Sequence, residues 1–124
     1  MARLSRPLVV IAVLISASLS LSACGSGAAV ADARISCRSV DKALVLEAQS
    51  QRVGLNAARR AQLQAMALSQ LLKATPSAAA ATSIDGSWNP LMTTINEAER
   101  VPIPQLVPAL QRLCRVANSS TPYL

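Results

Sequence analysis

Few side chains in this chain of 124 residues can do chemistry, because it contains three cysteines, at Cys24, Cys37 and Cys114, and no histidine. Without an imidazole, the commonest general base and metal ligand is missing. A zinc site would have to combine Cys37 and Cys114 with carboxylates, and neither cysteine has the Cys-x-x-Cys spacing of a redox pair. Glu97 and Glu99 stand two apart in a helical pattern, so they point to different faces and make a poor acid and base. No Gly-rich phosphate loop, Gly-x-Ser-x-Gly elbow or Ser–Lys pair near Lys42 or Lys73 is present. The expectation is a protein that is not an enzyme and carries no cofactor and no metal.

The first cysteine has a more specific context. Arg3 and Arg6 precede an apolar run, Leu8 to Ile15, which is followed by a Ser/Ala/Leu stretch ending in Leu21-Ser22-Ala23-Cys24. A basic start, a short apolar stretch and small residues before a cut describe a signal peptide, and the apolar part falls short of the roughly 20 residues that span a bilayer. The segment resembles bacterial lipoprotein leaders, in which an aliphatic residue and two small residues precede a modified cysteine, as in the small lipoproteins of actinobacteria. The resemblance implies lipidation of Cys24, cleavage before it and an extracytoplasmic chain held to the cell membrane by acyl chains, palmitate among them. Each buried CH₂ contributes about 0.8 kcal/mol, so two or more chains hold durably where one is marginal.

If Cys24 carries lipid, Cys37 and Cys114 are the two thiols left in an oxidising compartment, and a disulfide between them is expected. Closing so long a loop removes about 4 to 5 kcal/mol of unfolded-chain freedom on the chain-entropy model. The expected organisation is a leader over 1–23, the lipidated cysteine and a flexible tether over 24–36, and one helical domain over 37–124. A flexible tether of this length spans about 20 Å root-mean-square. With Arg3 and Arg6 in the leader, ten Lys/Arg remain against six Asp/Glu. A mildly basic exported domain excludes nucleic acid as a partner and favours lipid headgroups, an anionic wall polymer or an acidic envelope protein.

The hydrophobic pattern from Cys37 is helical. Cys37, Val40, Leu44 and Ala48 recur at threes and fours up to a stop near Gly54. Asn56 is placed to cap a second helix, Ala57 to Ala74, with one stripe through Ala58, Ala61, Ala65, Leu68 and Leu72 and another through Leu63, Met66, Ala67 and Leu71. Two stripes predict burial on two sides. Residues 75–87, rich in Pro, Gly and small polar side chains, read as a mobile loop. Asn89-Pro90 opens a short helix as cap and first-turn proline, ending before Pro102. A last helix places Leu106, Leu110, Leu113 and Ala117 on one stripe with Cys114 at its edge.

These elements predict an all-α fold, a small three- to four-helix bundle closed by one disulfide. The function expected is that of a structural or protein-interaction module of the envelope, with Arg52, Arg59, Arg60, Arg112 and Arg115 as its interaction face. The alternative is a carrier of an apolar ligand in an interhelical pocket lined by Met66, Trp88 and Met92. Lipid fits that pocket better than haem, since Tyr123 is the lone tyrosine and there is no histidine to ligate iron.

Overall fold

The computed structural model describes residues 21–122, with side chains from Ser26 onward. Five α-helices and one 3-10 turn make up these residues: α1 (Leu21–Ser50), α2 (Ala57–Leu72), α3 (Thr75–Ile84), the turn Gly86–Trp88, α4 (Asn89–Glu97) and α5 (Ile103–Asn118). No strand occurs among the described residues. The helices form a four-armed bundle in which α2 and α3 together make the second arm. α1 packs on α2, α3 and α5, and α4 packs on α3 and α5.

α1 is longer than its sequence pattern suggested, and this corrects the tether. Residues expected to be flexible before Cys37 are helical, and Ala29, Ala33 and Ser36 are fully buried. Gly25 and Gly27 each cost a helix roughly 1 kcal/mol, but alanine is the best helix former and the methyl groups of Ala29 and Ala33 enter the core. The buried stripe continues through Cys37, Val40, Ala43, Glu47 and Ser50, the three- and four-residue rhythm of one helix face. Among the described residues every buried side chain lies between Ala29 and Ala117. The leader residues 1–20 lie outside the described residues.

The turn after α1 reverses at Gly54, whose φ of +89° is left-handed and strained for a residue with a side chain. The N–H of Arg59 then donates to Asn56 Oδ1 at 2.7 Å, so Asn56 caps α2 as expected. Burial of α2 departs from expectation. Leu63, Ala67 and Leu71 are buried, Leu68 and Leu72 are half-buried, and Ala58, Ala61 and Ala65 are exposed. The helix therefore buries one face rather than two, because α1 covers that face and no described element is stacked on the opposite one.

The expected loop at 75–87 is instead α3 and the 3-10 turn. Pro76 sits in the first turn of α3, where its missing N–H is one of the groups a helix start leaves unpaired anyway. It starts a helix rather than preventing one. Ala78 and Ala81 are fully buried in the common core, which stabilises the alanine run as a packed element. The break between α2 and α3 is held from outside: Ser36 Oγ of α1 donates to the Ala74 carbonyl at 3.0 Å, a buried bond. Asp85 caps the following turn by accepting from the Ser87 N–H at 3.0 Å, and the Ser87 bonds hold its carboxyl below the usual value. Trp88, 1% exposed, fills the core at this turn.

α4 begins at Asn89, which is already helical, so Asn89 is not the cap expected; Pro90 occupies the first turn. α5 buries Ile103, Leu106, Leu110, Leu113, Cys114 and Ala117, the stripe read from the sequence. Pro108 lies inside α5 but on its exposed side.

The close packing of α3 on α1 gives a direct test. Ala81→Leu should destabilise the oxidised domain by about 1 to 3 kcal/mol through overpacking, whereas Ala65→Leu, on the open face of α2, should change stability by less than about 0.5 kcal/mol. Urea unfolding followed by circular dichroism measures both, and equal effects would mean that the α1–α3 seam is not close-packed.

Candidate functional site

The pairing of α1 with α5 sets where every exposed group stands. Cys37 and Cys114 form a disulfide with Cα atoms 5.5 Å apart, joining the first and last helices as expected. Both cysteines are buried, Cys37 fully and Cys114 at 4% exposure. Three residues toward the start of α1 and three toward the end of α5, Arg34 Nε donates to the Ala117 carbonyl at 2.8 Å and Nη2 to the Ser119 carbonyl at 3.2 Å. A guanidinium on the last carbonyls of a helix satisfies acceptors that have no intrahelical donor and suits the negative end of the helix dipole. Sequence reading missed Arg34. Its partners are backbone atoms 83 and 85 residues away, and no local pattern announces them.

The disulfide also bears on compartment. Bonds of this kind persist in oxidising surroundings and are rare in the cytosol. Among the described residues no helix is long and apolar enough to cross a membrane.

The five arginines of the expected interaction face are all exposed, but they separate into two groups. Arg112 and Arg115 lie beside Cys114 on α5, and Arg115 shares a shallow cleft with Asp41. Arg52, Arg59 and Arg60 lie at the turn after α1 and the start of α2. The α1 helix rises about 1.5 Å per residue, so that turn is about 20 Å along the bundle from the disulfide. Within the turn Val53 is fully exposed, held outward next to the left-handed Gly54. Arg59 Nη1 donates to Gln62 Oε1 at 2.8 Å. The one ion pair among the described residues is Arg100 with Glu97 at 2.6 Å, so the three turn arginines have no acidic partner there.

The three residues of the expected apolar pocket do not line a common cleft. Trp88 is sealed in the core, Met92 is half-buried, and Met66 is 45% exposed on the outer side of α2. The main clefts are open grooves, and none of the three lines them. Tyr123 lies outside the described residues. No group of three or more metal-ligating His, Cys, Asp or Glu side chains is found among the described residues. No family model, curated protein or solved structure matches this chain.

Replacing both Cys37 and Cys114 by serine should cost about 4 kcal/mol of stability, since the bond closes a loop with a sequence separation of 77. Denaturant unfolding of the oxidised protein and the double variant measures the difference; a loss below about 1 kcal/mol would show that the helix stripes alone fix the α1–α5 pairing.

Proposed function

We propose that this chain is a lipid-anchored module of the extracytoplasmic envelope, held in the membrane through Cys24 and engaging an anionic envelope partner, protein or polymer, through the arginine turn at its far end. The observation that supports the reading is the continuity of α1. It runs as one helix from Leu21 to Ser50, so the lipobox cysteine and the turn carrying Arg52, Arg59 and Arg60 stand at opposite ends of the bundle. At the rise of an α-helix that separation is about 40 Å. Only a few residues separate Cys24 from buried Ala29, so the anchor has little slack and orients the body as well as retaining it.

The turn suits an anionic counterpart on physical grounds. Three guanidiniums free of acidic partners attract anionic groups over a Debye length of about 8 Å at physiological salt, and they offer forked donors to carboxylate or phosphate. Arg112 and Arg115 lie part-way along the bundle and belong to a different surface.

The reading is tested by expressing the full chain in a lipoprotein-processing bacterium fed an alkyne analogue of palmitate. Label and membrane retention are expected for the native protein. Cys24→Ser should lose both and leave the Cys37–Cys114 bond intact, and Arg59→Glu with Arg60→Glu should keep the label but lower crosslinking to envelope components at least threefold. An unlabelled native chain, or label that survives Cys24→Ser, would refute the anchor; unchanged crosslinking would refute the turn.

A further inference from the structure

We propose that the cleft between the α1–α2 pair and the α4–α5 connection is a binding site for a small organic cation, an ammonium or guanidinium on an aliphatic stem, with Glu47 as its counter-ion. The cleft has a volume of about 360 Å³ and is bounded by Glu47, Leu68, Ala98, Glu99, Ile103 and Pro104, with Gln64 and Arg100 at its edge. That volume lies at the small end of ligand pockets.

Glu47 is the feature that asks for a ligand. It is 4% exposed, the one acidic or basic side chain buried among the described residues, and it has no cation beside it. Taking a carboxylate out of water costs several kcal/mol unless a charge or enough donors compensate it. The compensation is lopsided. Gln51 Nε2 donates to Oε1 at 2.8 Å, while the Ser50 hydroxyl, 3.4 Å from the same oxygen, gives its one proton to the Glu47 backbone carbonyl at 2.7 Å. Oε2 accepts no hydrogen bond from the described residues. Yet no enclosed side-chain oxygen or nitrogen among those residues lacks a partner, so Oε2 is reached by solvent. Glu47 lines both this cleft and the neighbouring groove, and its hydrogen-bond partner Gln51 lines the groove alone.

The surroundings favour a cation and disfavour an anion. The C-terminal end of α4, the negative end of its dipole, opens into the cleft at Ala98, and Glu99 stands at the rim. Arg100 also reaches the edge, but its Nη2 is held by Glu97 at 2.6 Å. Leu68, Ala98, Ile103 and Pro104 supply apolar walls that accept an alkyl stem. A hydrated inorganic cation would gain nothing from those walls, and a neutral apolar molecule would leave the carboxylate without its charge partner.

The test titrates n-hexylammonium, n-hexanol and hexanoate into the isotope-labelled domain Gly25–Leu124 and follows backbone amide shifts. Saturable shifts confined to Glu47, Gln64, Leu68 and the amides of residues 98–101 and 103 are expected with hexylammonium, at least tenfold weaker binding with hexanol, and none with hexanoate. Glu47→Gln, which keeps an acceptor for Gln51, should weaken hexylammonium binding at least tenfold and leave hexanol unchanged. The comparison of the three probes on the native domain decides the matter even where the variant fails to fold. Hexanol binding as tightly as hexylammonium, shifts scattered over the surface, or no saturation would each overturn the proposal.

Discussion

Bulk is scarce in this core, and the rest of the architecture follows from that shortage. The chain has no phenylalanine and one tryptophan. Its buried set therefore leans on Ala29, Ala33, Ala43, Ala67, Ala74, Ala78, Ala81, Ala98 and Ala117. A methyl group fills little space, so helices lined by alanine exclude water only if their backbones come close. Close approach demands accurate register, and three devices provide it: the Cys37–Cys114 bond, the Arg34 clasp on the end of α5, and the Ser36 bond to Ala74 at the break between α2 and α3. All three attach to α1 within four residues. Trp88 then supplies, in one side chain, the volume that the alanines lack at the α3–α4 corner.

The same economy explains which parts of the fold were legible in the sequence. The last helix was readable because Leu106, Leu110 and Leu113 are large apolar residues in a clean helical rhythm, and the start of α2 because Asn56 is a strong local cap. The disulfide followed from cysteine count once Cys24 was set aside. What escaped is the alanine-built part. Residues 26–36 and 75–84 have little hydrophobic contrast, and glycine, proline and serine among them read as loop. Their helicity depends on partners: α1 and α3 bury each other's small side chains, which is tertiary information. The second stripe on α2 failed for the opposite reason. The alanines at positions 58, 61 and 65 have helical periodicity with Leu68 and Leu72, but periodicity says only that a face is apolar, and no further element among the described residues covers these alanines.

The candidate sites divide along similar lines. Exposure of all five arginines was foreseeable from charge; their separation was not, because it depends on the antiparallel register that places Arg115 near Asp41 and leaves Arg52 at the far turn. Trp88 looked like a pocket residue by composition, but a chain with one tryptophan and so few other large side chains needs it to fill space. Glu47 carried no signal at all, being one more acid in an amphipathic helix, and its burial arises only when the 98–104 connection folds over it.

A bundle whose register is fixed at one helix has a mechanical consequence for the proposed role. α1 is the common neighbour of α2, α3 and α5, and it contains Cys24, the Cys37 end of the disulfide and the last residues before the arginine turn. A load applied at either end passes first into α1. The Cys37–Cys114 bond stands midway between Cys24 and Ser50, with the Arg34 clasp just to its Cys24 side, so the middle of α1 is tied to α5 covalently and by charge. The half nearer the turn is held by the α2 and α5 stripes and ends at Ser50, whose hydroxyl donates to the Glu47 carbonyl at 2.7 Å. Residues 51–62 contain no buried side chain, so few apolar contacts oppose local opening of the turn itself. That end is also where the cleft beside Glu47 lies. A body tied across its middle, with a turn that buries nothing at its far end, suits the proposed module, whose far end would adjust to a partner while the body keeps its orientation.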